Sequence, residues 1–305
     1  MNFLFILSVL NLILASTGDR QPAYKDCVKS CVKSCDQKSL SIVLRLTQWT
    51  CSDDCKYVCM HKITDSAIAN NQQIHQYHGK WPFYRLWGIQ EPFAVLFSIG
   101  NGYNHYMGAK KTLSRLSTRY PLIQLLHLYR IVSINTWLWS AVFHSRDLPL
   151  TEKMDYFSAM LGLLVALCYC LHRVFRIQYN STVSVTLQFA FITFFLFHIS
   201  YLSFYRFDYG YNMIAGVTVG LSHNLIWVGW SITSKRTYAW KMGVVSLLLT
   251  GTALLEVFDF PAFLRLIDAH ALWHGSTIPI VTMYWEFLLE DAMYEVRLIK
   301  GKFPE

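Results

Sequence analysis

The chain has 305 residues, of which 53% are hydrophobic, 16% aromatic and only 15% charged. A soluble domain carries about 25% charged residues, and a deficit of this kind fits a lipid-facing surface, where ionisable groups are costly. The net charge of +8 does not mark a nucleic-acid binder, because the basic residues recur in short clusters between apolar stretches instead of forming one patch.

Residues 1–18 read as a secretory signal peptide, with an apolar run over 3–15 followed by the small residues Ala15, Ser16 and Gly18. The segment lacks an initial Lys or Arg, so an uncleaved anchor is the alternative; under either reading residues 19–92 are luminal. This region holds six of the eight cysteines, as Cys27, Cys31, Cys35 and then Cys51, Cys55, Cys59. Spacing of four lays each trio along one helix face. Two antiparallel helices would set the nested pairs Cys27 with Cys59, Cys31 with Cys55 and Cys35 with Cys51 opposite each other, one of fifteen connectivities. No Cys-x2-Cys pattern supports zinc here, and so short a luminal region needs covalent staples. Cys168 and Cys170, in an apolar stretch, read as packing residues.

A polar connector over 65–80 leads to apolar stretches near 93–109, 121–144, 155–172, 183–204, 211–232, 240–259 and 263–290. Most approach the roughly 20 residues needed to cross a bilayer. The expected fold is an all-α membrane protein with seven transmembrane helices over 93–292, a small disulfide-rich helical luminal region and a cytosolic tail, 293–305. Clusters such as Lys110, Lys111, Arg115 and Arg119, and Lys235, Arg236 and Lys241, fall in alternate loops. The positive-inside rule makes those loops cytosolic and the N-terminus luminal. Asn180-Ser181-Thr182 then faces the cytosol and is expected to carry no glycan.

The candidate chemistry lies at the luminal ends of the stretches. Ser140 and His144 are four apart and share a helix face, as do His270 and His274. A His-x3-His pair with a third histidine is a suitable zinc grip that keeps one position open, so His144, His270 and His274 are the expected metal ligands. Asp155 returns to the level of His144 after a turn containing Pro149, and is the expected proton acceptor; Ser140 is the expected oxyanion donor. His198 and His223 read as packing or hydrogen-bonding residues, Asp259 and Asp268 as loop or capping residues, and Glu256 and Arg130 as a pair inside the bundle. No Gly-x-Ser-x-Gly elbow or Walker-type phosphate loop is present.

Several motifs carry a family resemblance: Trp49-Thr50-Cys51, Gly79-Lys80-Trp81-Pro82-Phe83, Gln90-Glu91-Pro92, Leu150-Thr151-Glu152-Lys153-Met154-Asp155-Tyr156, Arg206-Phe207-Asp208-Tyr209-Gly210-Tyr211-Asn212 and Asp268-Ala269-His270-Ala271-Leu272-Trp273-His274. Together they resemble the Per1-like, post-GPI-attachment-to-proteins factor 3 family, grouped with alkaline ceramidases and adiponectin-receptor-like proteins. The resemblance implies a zinc-dependent, GPI-specific phospholipase A2. Its substrates would be GPI-anchored proteins in the Golgi membrane, or in the endoplasmic reticulum as the alternative. It also implies His144, His270 and His274 as zinc ligands, with Ser140 and Asp155 as polar partners. A ceramidase-like lipid amidase and a non-enzymatic GPI-protein receptor or escort are the competing readings.

Overall fold

The computed structural model describes residues 16–299 and 301, and these fold as helices without a β-strand. Residues 1–15 of the expected signal segment lie outside the described residues; Gly18 donates its N–H to the Gln76 carbonyl at 3.0 Å.

The disulfide-bonded cap is built from α1 (Pro22–Ser34), the short α2 (Ile42–Leu46) and α3 (Cys51–Ala69). Pro22 suits the first turn of α1, where its missing N–H has no helical acceptor to lose. At the start of α3, Thr50 and Asp53 form a capping box, each side chain accepting from the other's backbone N–H. The cysteine faces meet in the nested arrangement, Cys27 with Cys59, Cys31 with Cys55 and Cys35 with Cys51. Tyr24 and Tyr77 pack beside Cys59, with ring centroids 4.9 Å apart.

Seven long helical segments follow: α4 (Pro92–Arg115), α5 (Ile123–Ser145), α6 (Pro149–Val174), α7 (Thr182–Ser200) with a π-helical extension over Tyr201–Tyr205, α8 (Tyr209–Thr233), α9 (Ala239–Thr252) with the short α10 (Leu254–Phe258), and α11 (Ala269–Ile299). Four stretches are long and apolar enough to cross a membrane: α6, Thr182–Tyr205, α8 and Ala239–Glu256. The other three, α4, α5 and α11, are interrupted by polar residues that the fold buries. Ser98, Asn101, His105, His144, His274 and Asp291 are all under 5% exposed. Helix α7 is the converse, with Phe189, Ile192, Leu196 and Phe197 on the surface. Polar side chains of α4, α5 and α11 thus face the interior while α7 turns apolar side chains outward, the pattern expected when the surrounding solvent is hydrocarbon.

Helix α4 packs against both α5 and α11. The approach to α11 is close at Gly108, where a Cβ would stand 2.5 Å from the Trp285 ring. The last apolar stretch differs from its expected bounds. Residues 259–268 form a turn closed by a bridge between Phe263 and Ile267, and α11 begins only at Ala269, where Asp268 accepts from the Ala271 N–H at 2.8 Å. The same helix runs on to Ile299 through the expected start of the tail.

A buried ionic network holds the far end of that helix. Arg173 forks onto Asp291 at 2.5 and 2.7 Å, and Arg236 and Tyr238 reach the same carboxylate at 2.9 Å. Glu295 accepts from both arginines. Arg236, which the loop pattern reads as a topology marker, is thus also a structural partner of α11.

Candidate metal centre

The final turn of α5 carries His144 and the first two turns of α11 carry His270 and His274. One nitrogen from each ring lies within 4.8 Å of the others. The ring centroids are 5.0 Å apart for His144 and His270, 5.1 Å for His144 and His274, and 4.5 Å for His270 and His274. The sequence-distant histidines expected to converge do converge.

Each ring is held from behind. His144 Nδ1 donates to Glu91 Oε2 at 2.9 Å, and His270 Nδ1 donates to Glu256 Oε2 at 2.7 Å. His274 Nδ1 lies 3.0 Å from Ser98 Oγ. The single hydroxyl proton of Ser98 goes to the Ala94 carbonyl at 2.7 Å, so Ser98 accepts from His274 Nδ1–H and from Ser140, whose Oγ is 3.0 Å away. Three Nδ1–H groups are therefore committed, and the Nε2 lone pairs turn inward.

This arrangement fits a metal ion. His144 Nε2 and His270 Nε2 face one another at 3.2 Å, and two lone pairs at that distance repel unless a cation or proton stands between them. Tetrahedral zinc with ordinary Zn–N bonds would separate its nitrogens by about 3.3 Å. Carboxylates behind ligating histidines are a recurrent feature of metal sites, because they fix the tautomer and raise the basicity of the ligand.

Glu91 owes its position to several contacts. It precedes Pro92, the first residue of α4, and its backbone N–H donates to the His144 carbonyl at 3.0 Å. One oxygen meets His144; the other meets Lys80, which also pairs with Asp147 at 3.1 Å. Burial alone would raise the Glu91 carboxyl, but Lys80 and then His144 outweigh it and hold the group well below the usual carboxylate range. Burial opposes the charge on Lys80 too, and Glu91 with Asp147 outweighs it and raises the ammonium above its ordinary value.

Ser140 reaches the centre through Ser98, one turn back from His144. Asp155 stands on the second turn of α6, which follows His144 after a short turn, and is not part of the three-histidine cluster. Glu256 does not pair with Arg130: it binds His270, because α10 ends at the turn that leads into α11. Arg130 stands fourteen residues before His144 on one helix, about 21 Å away along the axis. His198 bonds the Tyr211 hydroxyl at 3.2 Å and His223 lies against Asn224 and Tyr284, both outside the centre.

Sequence reasoning missed Glu91, Ser98 and the role of Glu256. A signal for the first two exists: Glu91 and Ser98 are seven residues apart at the start of α4, so they share the face that the two histidine helices meet. Glu256 has no comparable spacing signal, since a turn separates it from His270.

The fold and this centre define a helical membrane-type protein with a disulfide-stapled cap and a tri-histidine candidate metal site. A sequence model of the Per1-like family matches residues 41–292, and the chain belongs to that family. It is 40% identical over 293 residues to the "GPI-specific phospholipase A2-like PGAP3" of Danio rerio, covering 92% of both chains. The human protein of that name is 38% identical over 302 residues, covering 96% of this chain and 94% of its own. The "Protein PER1 homolog" of Schizosaccharomyces pombe is 40% identical over 316 residues, covering 99% of this chain and 94% of its own.

Proposed function

We propose that this chain is a GPI-specific phospholipase A2 that removes the sn-2 acyl chain from GPI anchors already attached to protein, with zinc at His144, His270 and His274. The observation that carries this reading is the convergence of three inward-facing imidazoles, each backed by its own acceptor. The relatives' names supply the substrate class.

An ion held by His144, His270 and His274 would supply Lewis acidity for ester hydrolysis at neutral pH. Asp155 accepts the proton of the attacking water and returns it to the departing sn-2 alkoxide as the ester bond breaks; its place on the second turn of α6, just after the turn that follows His144, supports that role. Ser140 turns its hydroxyl from Ser98 to the developing oxyanion. Glu91, Glu256 and Ser98 keep the rings in one tautomer and orientation through the reaction. The His270–Glu256 side is the more open one, with side chains 31% and 35% exposed, and offers the approach for a lipid ester.

All seven long segments cross the membrane in this reading, with the cap and the centre at the luminal face and α11 ending in the cytosol. The basic loops support that orientation. The Golgi membrane is the proposed site of action.

The test is rescue of GPI-lipid remodelling in cells deficient in this activity. His270→Ala or His274→Ala should give folded, correctly sorted protein that restores none of the remodelling, whereas the unaltered chain restores it. Full rescue by both variants would remove the enzymatic reading. Release of fatty acid from ceramide but not from GPI lipid would transfer the reaction to an amide.

A further inference from the structure

We infer, building on the metal-centre reading above, that Lys80 is a positioning residue through which the disulfide-stapled cap fixes the orientation of His144. The two are joined by a short series of contacts. Cys59, bonded to Cys27, packs against Tyr77, which is 3% exposed. Tyr77 opens a tight turn in which its N–H donates to the Lys80 carbonyl at 2.8 Å and Lys80 returns the bond at 3.0 Å. His78 and Gly79, between them, both take positive φ, at 50° and 80°, the geometry of a type I′ turn. The turn is held at its tip, where the His78 N–H donates to Asp19 at 2.8 Å.

This turn sends Lys80 out of the cap and into the bundle. Its side chain is 18% exposed, stands 4.3 Å from the Phe143 ring centroid, and bonds the Glu91 oxygen that His144 does not use. Glu91 thus has one oxygen on the cap and one on a candidate ligand. Without Lys80 its carboxylate would be free to rotate, and His144 would lose the constraint on its ring. The next residue reinforces the contact on the other side: Trp81 Nε1 donates to Asp259 at 2.7 Å, and Gln76 Nε2 does the same. Asp259 follows the short helix that carries Glu256, the partner of His270.

The full-length protein, purified in detergent and stripped of metal, can be titrated with Co2+ and read by its visible absorption. Lys80→Met should weaken cobalt binding about 10- to 100-fold, the range seen when groups behind a metal ligand are removed, and should alter the ligand-field band. Lys80→Arg should recover the affinity, since a guanidinium can still meet Glu91. Arg85→Gln, which loosens the cap at Asp54 instead, should bind as the unaltered chain does. Wild-type affinity in Lys80→Met would overturn the role, and so would an equal loss in Arg85→Gln, which would make the effect one of cap docking in general. Should Lys80→Met not assemble, Asp147→Asn removes the second anchor of the lysine; a weakened affinity supports the role and an unchanged one overturns it. An unaltered chain that binds no cobalt would instead remove the metal-centre reading itself.

Discussion

His144 and His270 present their Nε2 atoms to each other across 3.2 Å, and each is backed at Nδ1 by a glutamate from a different part of the chain. Glu91 comes from the start of α4 and Glu256 from α10, so the centre needs four separate segments in register. Glu91→Gln and Glu256→Gln keep the shape and remove the charge. Each should lower metal affinity or GPI-lipid hydrolysis by about 10- to 100-fold. Equilibrium metal binding on the purified variants checks this, and unchanged affinity in both would detach the glutamates from the site.

The opposite end of the bundle depends on Asp291, which is fully buried and receives Arg173, Arg236 and Tyr238. Removing one partner of a buried ion pair leaves the other charge uncompensated, at about 3–5 kcal/mol. Asp291→Ala should therefore lower the thermal stability strongly while the histidine centre keeps its residues. A double variant, Arg173→Met with Asp291→Leu, should lose less than Asp291→Ala alone. Thermal denaturation in detergent measures both.

Asp53 ties the cap to the bundle through Arg146 at 2.7 Å. Burial raises its carboxyl, but the Thr50 hydrogen bond and Arg146 outweigh that and hold it below its ordinary value. A depressed carboxyl contributes stability above its unfolded pKa and loses it as pH falls through the folded one. The cap contact should thus persist through mild acid and weaken only below the usual carboxylate range. In melting experiments across pH, Asp53→Asn should differ from the unaltered chain at neutral pH and converge with it in strong acid.

Asn180 stands just before α7, where Ser181 caps the helix by accepting from the Ser184 N–H. The proposed orientation puts this sequon in the cytosol, out of reach of glycosylation. Glycosidase treatment of protein from secretory cells should cause no mobility shift attributable to Asn180, and Asn180→Gln should migrate as the unaltered chain does. Glycan at Asn180 would invert the proposed topology.

The chain's own order of residues determined much of this. Cysteines spaced by four suggested two helix faces and a nested pairing as one of fifteen connectivities, and the packed helices decided for it. The apolar stretches located the seven long helical segments because hydrophobic length is a one-dimensional property. His270 and His274 were legible as a pair for the same reason, since one helical turn fixes their relation. The tertiary structure decided the rest. Whether Glu256 meets Arg130 or His270 depends on where a helix stops, and α10 ends at a turn that periodicity does not mark. Glu91 and Ser98 share a readable spacing, but which histidines they meet depends on helix packing, and the role of Lys80 arises from a segment far away in the chain that leaves no local spacing from which to read it.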